Sequence, residues 1–366
     1  MSKVATMGTM RIGIYDPYLD DLGGGEKYMM SLATALSEKH TVDIFWDKKE
    51  DLVGAQDRFG LALINVRQVQ NIFNGNMSFL KRFSETRKYD VIIFLSDGSI
   101  PFVGSKKLLI HIQQPIAKMH IRSLWDKIKL SRVTNFFCNS QYTKSYIGKI
   151  FSLKTLVIYP PVALHPKHVE KENYILHVGR FRLVDPLTHA GDYKKQHIML
   201  EVFRQMIEEG LKGWKFILAV SVRDKDMMQF EKMKESVKDL PVEFLINKTN
   251  DTLWDMYSRA KIYWHASGYG EDLSVHPEYA EHFGISTVEA MGAGAVPVVI
   301  NAGGQCEIVS NGVDGLVWNT LQELKEMTQQ IMHDKLLWEK LSVNAKKRAR
   351  DFSYERFSET VNALVV

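Results

Sequence analysis

Cysteine is almost absent from this chain: Cys138 and Cys306 are the only two among 366 residues. Two cysteines cannot make a disulfide framework, and both sit in apolar or glycine-rich surroundings. They read as reduced packing residues of a cytosolic protein. Long apolar runs are missing too; none approaches the ~18 residues of a membrane span. Met1–Met10 lacks the hydrophobic segment of a secretory leader and reads as a short tail before the first strand. There is no internal repeat, no low-complexity tract and no recognised RNA or DNA motif, so nucleic acid is not an expected partner. His265, His276 and His282 match no common zinc spacing.

What is present is an ordinary globular composition, 45% hydrophobic and 25% charged, at a length that suggests two domains. The net charge of +4 hides an asymmetry. Residues 1–160 hold 22 Lys+Arg and 14 Asp+Glu, and the remainder 25 and 29. A basic first half suggests an anionic partner there, such as a membrane surface or a phosphate-bearing acceptor.

Short apolar runs alternate with helical periodicity through both halves, which predicts an α/β class with parallel sheets. In the first half, strands are expected at Arg11–Tyr15, Thr41–Trp46, Val91–Leu95, Leu108–Ile112 and Asn135–Cys138, with a helix over Glu26–Lys39. Tyr159-Pro160-Pro161 closes that half. The second half predicts strands at Tyr174–Val178, Lys215–Val220, Val242–Leu245, Ile262–His265 and Val296–Ile300. Helices are expected at His197–Glu209, Asp251–Ala260, Leu321–Asp334, Lys335–Arg350 and Tyr354–Leu364.

The densest chemistry lies in Glu281-His282-Phe283-Gly284-Ile285, continuing to Glu289 and on to Ile300. Gly284 lets the backbone approach a ligand, and the helical run from Ile285 leaves its first amides unpaired, an anion site. On one continuous helix Glu281 and Glu289 would stand about 12 Å apart along the axis and roughly 80° around it. They cannot share one atom as an acid/base pair. They can hold the two ends of an extended ligand with a phosphate in the middle. Gly292, Gly294 and Pro297 then close the helix and start a strand.

Gly179-Arg180 follows an apolar run, at the carboxyl end of a parallel strand, where open α/β sheets bind ligands. Arg180 and Lys195 are the cations expected on a leaving diphosphate, with Lys194 as the alternative lysine. Gly23, Gly24 and Gly25 follow the first strand and open a helix, a second place for backbone amides to meet phosphate. They do not form the G-x-G-x-x-G dinucleotide fingerprint. Glu26 reads as a helix cap. Asp97, His111 and Gln113 end first-half strands and point to the same side; His265 and His282 read as cleft or supporting residues. Asp224-Lys225-Asp226 sits in a charged run and is not taken as a metal site. Lys118–Arg132 mixes Trp125 and aliphatic residues with cations, and Phe79 and Phe83 lie beside Lys81-Arg82 and Arg87-Lys88. Both segments suit an anionic membrane surface.

The Glu281–Glu289 string, with seven residues between its glutamates, resembles the donor-site signature of retaining GT-B glycosyltransferases of family 4. Its Glu-His-Phe-Gly-Ile form is similar to that of lipid-linked oligosaccharide mannosyltransferases and of bacterial polysaccharide transferases. The resemblance implies a GT-B fold, two Rossmann-like domains facing across a cleft. It implies an acceptor-binding domain over 1–165, a nucleotide-sugar-binding domain over 166–350, and a terminal helix at 351–366 packing back on the first. It further implies a metal-independent, retaining hexosyltransferase, with no cofactor beyond a GDP- or UDP-sugar substrate and a lipid-linked or polysaccharide glycan as acceptor. Mannose from GDP-mannose is the expected donor sugar, and the location cytoplasmic, peripheral on the membrane face.

In that scheme Glu281, Arg180 and Lys195 are catalytic, and the resemblance implies an acceptor-side role for Glu26 as the alternative to a helix cap. Gly24, Gly25, Gly179, Phe283, Gly284, Ile285 and Glu289 hold the donor, and Asn301–Glu307 resembles a loop bounding the nucleotide pocket. The family often carries a histidine two residues before Pro115. Here Gln113 stands there and His111 two residues further back, which leaves a histidine role unassigned. Arg180 and Lys195 are also further apart than in the family's shortest forms, through an insertion around Asp185–Asp192. Two other classes remain: a UDP-sugar 2-epimerase-like isomerase and a non-catalytic nucleotide-sugar-binding subunit.

Overall fold

The computed structural model describes residues 8–21, 23–61, 63, 65–75, 77–116, 123–147, 155–182 and 194–366. The insertion at Asp185–Asp192 and the start of the basic stretch, residues 118–122, lie outside them. The chain divides into two compact units, one of residues 1–161 and 354–366, the other Val162–Ser353.

The first unit is built on a seven-stranded sheet: β1 Arg11–Tyr15, β2 Thr41–Phe45, β3 Val66–Val69, β4 Val91–Leu95, β5 Lys107–Ile112, β6 Asn135–Cys138 and β7 Thr155–Val157. The order is β3-β2-β1-β4-β5-β6-β7 and every pair is parallel. All five side chains of β4 are buried, as expected of a central strand covered on both faces. Asp43 on β2 is fully buried, yet it accepts hydrogen bonds from Arg11 (2.8 Å), Arg67 (2.7 Å) and the Tyr89 hydroxyl (2.8 Å). Three donors satisfy a charge that would otherwise be costly to bury.

The helix Tyr354–Val365 belongs to this unit. Its Phe357, Val361, Leu364 and Val365 enter the same core as Met29, Leu32 and Leu36 of the helix Gly24–Ser37. The Tyr354 hydroxyl donates to Glu38 at 3.0 Å.

The second unit carries a six-stranded parallel sheet: β8 Glu172–Arg180, β9 Lys215–Ser221, β10 Val242–Ile246, β11 Ala260–His265, β12 Val296–Ile300 and β13 Leu316–Trp318. The order is β10-β9-β8-β11-β12-β13. The chain winds outward from β8 to β10, then returns to the other side of β8 and winds away to β13. A doubly wound sheet of this kind opens a crevice at the carboxyl ends of the two strands where the direction reverses, here β8 and β11. In the first unit the reversal falls between β1 and β4.

The unit boundary falls at 161/162 and 353/354, a few residues from the expected 165/166 and 350/351. The Val162 amide bonds the Phe352 carbonyl at 2.8 Å, so the chain joins the second unit directly after Pro161.

Candidate active site

The second unit brings most of its singled-out residues to the reversal between β8 and β11. Gly179 and Arg180 end β8, and the exposed Arg180 guanidinium has no hydrogen bond or ion pair among the described residues. The Arg180 carbonyl accepts from Gln196 at 3.1 Å, which ties β8 to the helix Gln196–Glu208. Lys195 precedes that helix in a left-handed conformation, φ 56°.

His265 ends β11, and its Nε2 lies 3.1 Å from the Glu281 carboxylate. Lys194 donates to the same oxygen, Oε2. Lys195 instead donates to Glu271 at 2.5 Å. Burial alone would raise the Glu281 carboxyl, but Lys194 and His265 outweigh it and hold it well below the usual carboxylate range. Burial lowers His265, so the ring is neutral, donating through Nε2 and leaving the buried Nδ1 without a partner. His177, on β8, is held neutral by burial at about 3; its Nδ1–H donates to the Trp264 carbonyl at 3.0 Å. His282 is lowered by burial, and its Nε2 is unpartnered.

The backbone of Glu281 is fixed from the other side. The Gly304 amide donates to its carbonyl at 2.7 Å. A Cβ on Gly304 would meet the His282 carbonyl at 2.6 Å, so only glycine allows the two loops to touch. Thr287 donates to the buried Gln305 at 2.9 Å, joining the Gly303-Gly304 loop to the helix Ile285–Gly292. Gly284 caps that helix at φ 123°. The Thr287 and Val288 amides both bond the Gly284 carbonyl, so the helix's open end consists of the Ile285 and Ser286 amides. Phe283 turns inward against Phe352, centroids 5.2 Å apart, and holds the loop rather than facing out.

Glu281 is thus on the loop and Glu289 one turn into the helix, where Glu289 accepts from the Tyr257 hydroxyl at 2.9 Å. Glu271, Tyr257 and His177 carried little signal of their own in sequence; of the two lysines weighed there, Lys194 is the one that reaches Glu281. Asp226 is buried and taken up by Arg223 at 2.7 Å, a helix-turn contact. Among the described residues no trio of His, Cys, Asp or Glu could hold a metal ion.

In the first unit, Gly24 and Gly25 lie in the opening turn of Gly24–Ser37. Glu26 is buried and accepts from the Gly23 amide at 2.6 Å, a capping contact. The Gln113 side chain lies against Gly25, where a Cβ would come within 2.4 Å of it. Asp97 is exposed and accepts from Ser99. His111 is fully buried, stacked between Tyr28 (4.5 Å) and Phe137 (4.6 Å), with burial holding it neutral at about 3. In this setting it supports the sheet.

Asp16 was not singled out from sequence. It follows β1 at the reversal and is 1% exposed. Its Oδ1 accepts from the Tyr18 amide at 3.0 Å, and its Oδ2 is buried without a partner. Burial first, then neighbouring Glu26, Asp20 and Asp21, push it up to about 7. Its place directly after the first strand was the available signal.

A sequence model described as "Glycosyl transferases group 1" matches residues 165–351. The chain belongs to that family. This group 1 glycosyltransferase is 27% identical over 310 residues to the GDP-Man:Man(3)GlcNAc(2)-PP-Dol alpha-1,2-mannosyltransferase of Dictyostelium discoideum, covering 81% of this chain and 53% of the relative. The human protein of the same name is 25% identical, with 81% and 55% covered. The chain therefore spans about half the length of these relatives. A Campylobacter jejuni GalNAc-alpha-(1->4)-GalNAc-alpha-(1->3)-diNAcBac-PP-undecaprenol alpha-1,4-N-acetyl-D-galactosaminyltransferase is 22% identical, with 92% and 93% covered. Among solved structures, Anabaena HepE in complex with UDP superposes with a TM-score of 0.71 at 17% identity, covering 97% of this chain and 99% of HepE. TarM gives 0.70 at 12% identity, covering 97% and 98%. The two doubly wound sheets are those of the GT-B fold.

Proposed function

We propose that this protein is a retaining glycosyltransferase that moves a hexose from a nucleotide sugar to a lipid-linked or polysaccharide glycan. Mannose from GDP-mannose is the first candidate. The observation that carries the reading is the Glu281 carboxylate, kept ionised by Lys194 and His265 beside the open helix end at Gly284. The exposed Arg180 ends β8, the strand beside β11. The relatives' names support a lipid-linked glycan acceptor, and the UDP bound by HepE supports a nucleotide donor.

In this reading Arg180, a lysine of the 194–195 pair and the Ile285 and Ser286 amides stabilise negative charge on the leaving diphosphate. Glu281 orients the sugar hydroxyls and Glu289 the ribose. The acceptor oxygen attacks the anomeric carbon on the leaving-group face as the carbon–phosphate oxygen bond breaks, and a donor phosphate oxygen takes the hydroxyl proton. The first unit binds the acceptor.

The test is a panel of GDP- and UDP-sugars read by thermal shift and then by nucleotide release, in EDTA. A donor at a hundred times its dissociation constant stabilises by about 2.7 kcal/mol, which is readily seen. One donor is expected to bind and release its nucleotide without added metal, and Glu281→Ala to abolish release. Absence of binding by every donor, or a strict need for a divalent ion, would overturn the mechanism.

A further inference from the structure

We infer that the helices Phe79–Thr86 and Leu124–Ser131, with Phe102 between them, form one docking surface for an anionic lipid bilayer. The two segments are about 40 residues apart in sequence, but the first unit brings their rings together. Phe102 packs on Phe79 at 5.1 Å, on Trp125 at 5.0 Å and on Phe83 at 5.4 Å, and Phe79 meets Trp125 at 5.5 Å. Of the thirteen exposed large hydrophobic side chains among the described residues, five stand on these two eight-residue helices. Leu80 and Leu124 are 77% and 76% exposed; Phe79, Trp125 and Ile128 complete the set. Scattered singly, such residues need no explanation; clustered around a ring platform, they mark an interaction surface.

The charge around the platform selects the occupant. Lys81, Arg87 and Lys127 are exposed on the same two helices or directly after them. The acids there are engaged locally. Glu85 accepts from Lys88 at 2.6 Å, and Asp126 caps its own helix by accepting from Ser123. An aromatic and aliphatic face rimmed by cations matches the boundary between acyl chains and anionic headgroups. No helix among the described residues is long and apolar enough to cross a membrane, so this attachment would lie on the surface. The inference stands on the platform alone and does not depend on which glycan is the acceptor.

The test uses the full chain and vesicles of phosphatidylcholine, with or without phosphatidylglycerol, in the absence of any nucleotide sugar. Co-sedimentation is expected with the anionic vesicles. Brominated lipid is expected to quench tryptophan emission, and Trp125→Phe to remove most of that quench. Leu80→Asp with Leu124→Asp is expected to weaken vesicle binding about tenfold or more, with circular dichroism and the donor thermal shift unchanged. Failure to bind anionic vesicles, or binding that the double variant leaves intact, would overturn the inference. So would a concentration-dependent dimer that the double variant dissolves, since a second copy would then be the occupant.

Discussion

Lys194 donates to the carboxylate of Glu281, while its neighbour Lys195 reaches Glu271 instead. Adjacent lysines at the start of one helix therefore serve different acids, and only Lys194 bears on the ionisation of Glu281. In Lys194→Met the carboxyl keeps His265 alone, desolvation prevails and its pKa rises. The acid limb of kcat/KM is expected to move to higher pH and turnover to fall about 100-fold. Lys195→Met should leave the acid limb in place. A pH–rate profile of the two variants decides between them. In the wild type, because the folded carboxyl is depressed, its contribution to stability is present above the unfolded value near 4.5 and is lost as pH falls through the folded value.

Gly284→Ala places a Cβ 2.3 Å from the Gln305 amide nitrogen at a φ of 123°. Strain and overlap together should destabilise by about 2–4 kcal/mol and weaken donor binding, since the helix end at Ile285 must shift. Gly210 has a similar φ, 103°, with open space around it. Gly210→Ala should cost only about 1 kcal/mol of strain and leave donor binding unchanged. Thermal denaturation with and without donor separates the two.

Asp16 gives a pH dependence of opposite sign. Its folded pKa, about 7, lies above the unfolded 3.8. The folded state therefore holds the extra proton, and stability declines as pH rises through that interval, by on the order of 4 kcal/mol in full. Asp16→Asn should remove this slope, so the variant gains on the wild type between pH 5 and pH 8. Denaturant unfolding at those two pH values measures it; equal slopes in both proteins would show that Asp16 ionises normally.

Tyr257→Phe removes the hydroxyl that donates to Glu289. If Glu289 holds the ribose, the loss of one hydrogen bond, about 1 kcal/mol, should raise the KM for donor several-fold with little change in kcat. A fall in kcat at constant KM would place Glu289 in the chemical step instead.

Much of the fold was legible in sequence. The bounds of β1, β4, β6 and β12 match the apolar runs residue for residue, because central parallel strands are continuous hydrophobic segments. The strands Val66–Val69 and Leu316–Trp318 were not expected. Each lies at an edge of its sheet or is only three residues long, so neither leaves a run that periodicity can detect.

By itself the sequence determined the class of architecture, the position of the Glu281–Glu289 string and the glycine that separates its loop from its helix. These are local properties, set by spacing along the chain. The tertiary structure alone decided which lysine meets Glu281, that His265 meets the same carboxylate from 16 residues away, and that Asp16 is buried without a partner for Oδ2. It also decided that Phe79, Phe102 and Trp125 meet. Those relations depend on strand order and on which strand ends the sheet brings side by side. The lateral distance between strands is independent of the number of residues that connect them, so no pattern along the chain could report it.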